Sequence, residues 1–97
     1  TFNEFCRSIN VKNKNIYISF DIDGLSPVYC PYTGTPVPGG LDYNEAIYLL
    51  NLIVSKGHKI IGFDLCEVGY NPQNDWDANV GARILFNLSM LTLKSQQ

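Results

Sequence analysis

The sequence is poor in charge of either sign, and it contains only one histidine. Its 97 residues hold seven Lys and Arg against nine Asp and Glu, which gives a formal net charge of −2 at pH 7. Because the basic residues are few and scattered, the chain lacks an electrostatic surface for a nucleic-acid backbone or an anionic membrane. No apolar run approaches the roughly 20 residues that cross a bilayer. We therefore expect neither a nucleic-acid partner nor a membrane partner.

Cysteine is also scarce. Cys6, Cys30 and Cys66 are odd in number, widely spaced and without a Cys-x-x-Cys pair, so neither a disulfide framework nor a zinc knuckle is indicated. A reducing cytoplasm fits this pattern, and we expect each cysteine to be a small buried apolar side chain. The opening residues contain neither an initiator Met nor a basic targeting segment. We expect one domain at most, cut from a longer protein.

The hydrophobic pattern alternates between strand and helix periods. It predicts a helix end at Phe2–Ile9, a strand at 16–20, a helix at 43–56, a strand at 59–68 and a helix from about 74 onward. This order is a βαβα unit, whose two strands are almost always parallel, so the fold class is α/β. Both strands carry apolar residues on both faces, which predicts that other elements of the protein pack against both faces of the sheet. Such a unit needs further strands to complete a stable core.

Local signals mark where the elements begin and end. Asp42 and Glu45 form an Asp-x-x-Glu capping pair before the middle helix, and Gly57 stops it. Gly81 lies inside the last helix, where it predicts a close packing contact. Between positions 24 and 40 the chain has four prolines and four glycines, which block regular structure. A loop of this length inside a compact domain is usually functional.

Four acidic residues lie at or near the ends of the two predicted strands, namely Asp21, Asp23, Asp64 and Glu67. A buried carboxylate needs a cation or several donors in place of water, and neither strand end carries a Lys or Arg. The ends of parallel strands open on one edge of the sheet, and Asp21 and Asp23 would share a face if the strand continued. A hard divalent metal is the natural counterion. The alternative is that these acids accept backbone N–H groups in a loop.

Three strings of residues in the chain resemble the motifs of a known family. They are Ser19-Phe-Asp-Ile-Asp-Gly-Leu-x-Pro, Thr33-Gly-Thr-Pro-Val-Pro-Gly-Gly-Leu41 and Gly62-Phe-Asp-Leu-Cys-Glu-Val68. In this order they resemble the metal-ligand signature of the ureohydrolases, the family of arginase, agmatinase and formimidoylglutamase. The match spans about residues 16 to 90. The resemblance implies a three-layer α/β/α fold around a parallel sheet, of which residues 1–97 would be the C-terminal part of a single domain.

The resemblance also implies roles for individual residues. Asp21 would bridge two Mn²⁺ ions and Asp23 would bind one of them, while Glu67 would recognise the guanidinium or amidinium end of a small cationic substrate. Thr35 would lie at the substrate pocket, and Asp64 would support the metal ligands. A water made acidic by both metals would attack the amidino carbon and hydrolyse a carbon–nitrogen bond. Asp21, Asp23 and Glu67 are therefore the expected catalytic set.

The chain departs from the family pattern in ways that matter. Ser26 stands where many members have an acid. The other metal ligands of the family come from Gly-Gly-x-His and Asp-x-His-x-x-x-Asp segments that this chain lacks, so we expect these residues alone to be inactive. His58 is expected to be a solvated surface residue at the opposite edge of the sheet. The segment Asn74–Arg83 resembles formimidoylglutamase more than arginase, and exposed apolar edges predict a homo-oligomer.

The residues alone also allow other interpretations. Phe20-Asp-Ile-Asp-Gly24 resembles the nucleophile motif of haloacid-dehalogenase phosphatases, which use Mg²⁺, although Leu25 replaces the threonine of that motif. An EF-hand fails because Tyr32 occupies the twelfth position of the loop. A non-catalytic metal-binding or structural α/β module, such as an inactive family member, is the third possibility. Metal ligands encoded before Thr1 would distinguish an enzyme from such a module.

Overall fold

The computed structural model describes residues 14–97 as an α/β unit. Its elements are β1 (Asn15–Asp21), a 3₁₀ turn (Ile22–Gly24), α1 (Tyr43–Ser55), β2 (Lys59–Cys66) and α2 (Trp76–Ser95). The predicted βαβα order is confirmed, and the helix predicted at Phe2–Ile9 lies outside the described residues. Within residues 14–97, no helix has both the length and the apolar character needed to cross a membrane.

The two strands form a parallel sheet whose register sets the geometry of the site. Ser19 lies opposite Asp64 and Asp21 lies opposite Cys66, with one irregularity between Ile16 and Tyr17. Because the strands run in the same direction, both carboxyl ends lie at one edge, as predicted. β2 ends two residues earlier than its apolar pattern suggested, since the backbone leaves the extended conformation after Cys66.

Helix α1 begins and ends where the local signals place it. The Asp42 carboxylate accepts a hydrogen bond from the Asn44 N–H, and the Asp42 N–H donates to Glu45 Oε1 at 3.0 Å, which completes a capping box. At the other end Gly57 takes a φ of 88°, the left-handed conformation that closes a helix. Short-range rules are sufficient here because every partner lies within four residues.

One face of the sheet packs with both helices to form the core. Its fully or nearly fully buried members include Ile18, Ile22, Leu50, Ile60, Ile84 and Leu88. The other face of β1 is open among the described residues, and the side chain of Tyr17 is 58% exposed there. The expectation that both faces are covered is therefore wrong for residues 14–97, because two strands and two helices supply cover for one face.

The amino ends of the strands are closed by buried polar contacts. His58 is only 1% exposed, and its Nδ1 accepts the backbone N–H of Lys14 at 3.1 Å. Ser95 Oγ accepts the N–H of Ile60 at 2.9 Å, and Gln96 Nε2 donates to the Ile60 carbonyl at 2.9 Å. The prediction of a solvated His58 is wrong, because the backbone of Lys14 lies against the turn that precedes β2 and bonds both His58 and Lys59. We call Lys14, His58, Ser95 and Gln96 the amino-end cluster.

The proline- and glycine-rich loop folds back on itself at its base. Ser26 N–H donates to the Leu41 carbonyl at 2.8 Å, and Leu41 N–H donates to the Gly24 carbonyl at 2.9 Å. Gly40 lies so close to this base that a Cβ there would stand 2.4 Å from the carbonyl carbon of Leu25. The loop is therefore ordered, and its two ends are joined by backbone hydrogen bonds. Its high proline content predicts such a restricted backbone.

Candidate metal and substrate site

Three potential metal ligands meet at the carboxyl edge of the sheet. Side-chain ligand atoms of Asp21, Asp64 and Cys66 all lie within 4.8 Å of one another. The arrangement follows from the strand period of two, which puts Ser19 and Asp21 on one face of β1, and from the register, which sets Asp64 and Cys66 beside them. We call Asp21, Asp64 and Cys66 the strand-end cluster.

Asp64 is held by donors from its own chain. Its carboxylate accepts hydrogen bonds from Ser19 Oγ and Tyr17 Oη, each at 3.0 Å, and a weaker one from the Cys66 thiol at 3.4 Å. These donors, of which Ser19 has the largest effect, hold the pKa of the Asp64 carboxyl below its usual value. A carboxylate occupied in this way is suited to orient its neighbours. Its expected supporting role stays a prediction.

Asp21 differs from Asp64 in its hydrogen bonding. Its side chain is exposed, and no group among residues 14–97 donates a hydrogen bond to its carboxylate. It opens on a shallow cavity of about 280 Å³ that is lined by Ser19, Phe20, Asp21, Gly24, Leu25 and Leu41. Both oxygens of Asp21 are thus available to a ligand at the edge of the sheet.

Asp23 does not lie on the same strand face as Asp21. The buried side chain of Ile22 draws the chain into a 3₁₀ turn immediately after β1, so the extension on which a shared face depends does not continue. The expectation of a shared face is wrong for this reason. Asp23 is instead held from the loop, where Thr35 Oγ1 donates to its Oδ2 at 2.8 Å.

Glu67 has an uncommon backbone conformation. Its φ is 68°, in the left-handed region, which costs about 1–2 kcal/mol for a residue other than glycine. The conformation is held by Thr33 Oγ1, which donates to the Glu67 carbonyl at 2.7 Å. The Glu67 carboxylate points toward the loop, where its Oε2 is 3.9 Å from the place that a Cβ of Gly34 would take. Glu67 therefore faces the segment next to Thr35.

The acids thus form two neighbouring groups at one edge. The strand-end cluster is joined by what we call the loop cluster, which consists of Asp23, Thr33, Thr35 and Glu67. Its members belong to the turn after β1, the proline-rich loop and the exit of β2. Carboxylate oxygens of this kind suit hard divalent cations rather than soft ones.

Two of the three cysteines lie among the described residues, whereas Cys6 lies outside them. Cys30 is buried, as predicted, and burial raises the pKa of its thiol. Cys66 is exposed, so the expectation of a buried side chain is wrong for it, because it lies on the open face at the end of β2. Its hydrogen bond to Asp64 raises the pKa of the Cys66 thiol.

Several features of the site were missed in the sequence. The contact of Asp64 with Tyr17 and Ser19 could have been found by pairing the two strands in register, because alternate residues share a face. The left-handed Glu67 and its link to Thr33 carry no local signal, because the residues lie 34 positions apart.

The fold and the carboxylate-rich strand edge define an α/β protein with a candidate ligand site at the carboxyl ends of its strands. A sequence model described as the Arginase family matches residues 1–91. The chain belongs to the arginase family. This membership supports the ureohydrolase interpretation of the three strings over the phosphatase alternative.

Individual relatives agree with this assignment. Over 67 residues the chain is 46% identical to Arginase-1 of Oryctolagus cuniculus, covering 69% of this chain and 20% of that protein. Over 76 residues it is 45% identical to the mitochondrial agmatinase of Gallus gallus, covering 75% and 21%. The solved proclavaminate amidino hydrolase of Streptomyces clavuligerus matches with a TM-score of 0.78 at 30% identity, covering 96% and 31%. The chain spans about a fifth of the length of these curated relatives.

Proposed function

We propose that the protein containing this chain hydrolyses a guanidino or formimino carbon–nitrogen bond of a small cationic substrate. Residues 1–97 would form the C-terminal part of its single ureohydrolase domain. The observation that carries the proposal is the Asp21 carboxylate, which stands without a donor among the described residues at the edge where parallel strands present their ligands. Membership of the arginase family supports the same reaction class.

The carboxylate oxygens of Asp21 and Asp23 suit Mn²⁺, and they would supply part of the ligands of a two-ion site. Asp21 has two available oxygens, and Asp23 keeps one oxygen that no described residue occupies, while Thr35 fixes the other. A hard cation matches these oxygens, and it would offset the repulsion among uncompensated carboxylates. When bound, a pair of such ions polarises the substrate and lowers the pKa of a bound water. Asp21 and Asp23 are the residues of this chain that would hold them, with Asp64 fixed beside Asp21.

Glu67 and Thr35 would meet the substrate. A guanidinium is planar and rich in donors, and a carboxylate held at one place accepts its N–H groups in charge-assisted hydrogen bonds. The Glu67 backbone is held by Thr33, and its carboxylate faces the loop that carries Thr35. A strained but fixed backbone of this kind preorganises the acceptor before the substrate arrives.

The choice among arginine, agmatine and formimidoylglutamate would depend largely on loops outside residues 1–97. The Gly-Gly-x-His and Asp-x-His-x-x-x-Asp ligands would also come from there, so we expect residues 1–97 alone to be inactive. Exposed apolar side chains on α2, such as Phe86 and Leu93, support a homo-oligomer. The exposed thiol of Cys66 supports a reducing, cytoplasmic location.

The proposal is tested on the full-length protein. We expect close to two Mn²⁺ per chain by elemental analysis, with urea released from arginine or agmatine, or formamide from formimidoylglutamate. Release of phosphate from a generic phosphomonoester with Mg²⁺ would favour the phosphatase instead. Metal binding without turnover of any amidine would favour a non-catalytic module.

Glu67→Gln tests the recognition role separately. Loss of one charge-assisted contact should raise KM roughly 10- to 100-fold, while the manganese content stays unchanged. Steady-state kinetics and metal analysis on the same preparation measure both. Glu45→Gln is the matched control, because glutamine keeps the capping box at the start of α1. Equal losses of metal and substrate binding in Glu67→Gln would show that the role assigned to Glu67 is wrong.

A further inference from the structure

One buried acid takes no part in the site described above. Asp77 lies in the first turn of α2 and is only 1% exposed. Its Oδ2 accepts the backbone N–H of Tyr32 at 3.1 Å, whereas its Oδ1 has no hydrogen-bond partner among the described residues. A carboxylate in such a place loses its hydration, so its presence calls for a physical reason.

The start of the helix does not supply that reason. A negative charge near a helix N-terminus is favourable at the surface, and Asp75, the exposed N-cap residue, already provides one without making a side-chain capping bond. Burying a second carboxylate adds little to this effect and brings a desolvation penalty. The contact that distinguishes Asp77 from Asp75 is the one with Tyr32.

The peptide group of Tyr32 is held from two sides. Asp77 accepts its N–H, and its carbonyl lies against Gly69, where an added Cβ would stand 2.1 Å from the oxygen. The next residue, Thr33, donates to the carbonyl of Glu67. A shift of Tyr32 would therefore be passed directly to the backbone that carries Glu67.

Neighbours of Asp77 fasten the same loop. Trp76 Nε1 donates to the Val28 carbonyl at 3.1 Å, and Asn74 Nδ2 donates to the Tyr32 hydroxyl at 3.3 Å. The start of α2 thus holds the loop at several points, and of these three contacts the one with Asp77 is the least exposed to solvent. These contacts give a structural role to the Asn74–Arg83 segment, which the proposed function does not otherwise use.

We propose that Asp77 is a positioning residue that holds the Tyr32–Thr35 segment in place, so that Thr33 fixes Glu67 and Thr35 fixes Asp23. It would thereby govern substrate capture while remaining outside the reacting groups. The consequence for substrate rests on the proposed function, whereas the effect on the loop does not.

Amide hydrogen exchange on the full-length protein tests the loop directly. Asp77→Ala should increase the exchange rate of the amides at 32–35 by at least about tenfold, because Tyr32 loses its acceptor. Asp77→Asn keeps an oxygen acceptor and should restore most of the protection. Asp75→Asn removes the same charge from the same turn, and it should leave exchange in this segment unchanged. If Asp77→Ala does not fold, Asp77→Val fills the space without an acceptor and must show the same increase.

Kinetics on the same variants test the consequence for substrate. We expect Asp77→Ala to raise KM for the amidine substrate by roughly tenfold with the metal content unchanged, and Asp77→Asn to stay within about threefold of the parent protein. Unchanged exchange at 32–35, or an Asp77→Asn variant as impaired as Asp77→Ala, overturns the proposal. Faster exchange in a protein that turns over no amidine would leave Asp77 as the anchor of the loop and refute the proposed function instead.

Discussion

The two ends of the same two strands are built in opposite ways. At the amino end, the backbone groups of Lys14 and Ile60 are paired with side chains of the amino-end cluster, of which His58 and Ser95 are buried. At the carboxyl end, the carboxylates of Asp21 and Asp64 lie together with the Cys66 thiol, and Asp21 accepts no hydrogen bond from any described residue. One end satisfies its polar groups within the chain, and the other leaves the Asp21 carboxylate available.

This difference separates stability from function. A polar group satisfied within the chain stabilises the fold, and it has nothing left to offer a ligand. A carboxylate without a donor repels its neighbours and adds no stability, but it can bind a cation as soon as one is present. Substitutions at the amino end should therefore change the free energy of unfolding, whereas substitution of Asp21 at the carboxyl end should change metal binding and turnover.

The largest expected effect is that of Asp21→Ala. It should remove bound manganese and reduce turnover by about 10²- to 10³-fold, because it deletes the carboxylate that we assign to the metals. Elemental analysis and kinetics on the full-length protein measure both. Ser95→Ala serves as the reference from the other end and should keep its metal. If Asp21→Ala left the metal content unchanged, Asp21 would not be a metal ligand. The contrast between the two ends of the strands would then not hold.

An intermediate effect is expected from Ser95→Ala. The N–H of Ile60 would be left buried without an acceptor, which should lower the free energy of unfolding by about 1–3 kcal/mol. Chemical denaturation measures the change. Ser89→Ala is the matched control, because Ser89 lies on the same helix and bonds only the carbonyl of Leu85, so its effect should stay within about 0.5 kcal/mol. Equal effects of the two variants would contradict the role of the amino-end cluster.

The smallest expected effect is the contribution of Asp64 to the pH dependence of stability. The pKa of Asp64 is lowered in the folded protein, by Ser19 and then by Tyr17, so its contribution to stability is present above the unfolded pKa of about 3.9. That contribution is lost as pH falls below this value toward the folded pKa. Asp64→Asn should therefore lower stability slightly at neutral pH and flatten the acid limb, so that the variant and the parent protein converge in stability below about pH 4. An acid limb identical to that of the parent protein would show that the donors do not favour the ionised form.

The positions of the acids were predicted only in part. The sequence placed Asp21 and Glu67 at one edge of a parallel sheet, because strand direction and element order require it. It did not show that Ile22 would turn the chain and separate Asp23 from Asp21. Nor did it show that Asp77 would be buried, since its partner Tyr32 lies 45 positions away along the chain.

The sequence by itself determined the α/β order, the capping box at Asp42 and the family. These features depend on residues a few positions apart or on strings that stand unbroken in the chain. The tertiary structure alone decided that His58 is buried, that Glu67 is left-handed and that the start of α2 holds the loop. Each of these depends on contacts between segments that are distant in sequence, whose energies enter only once the strands and helices have packed.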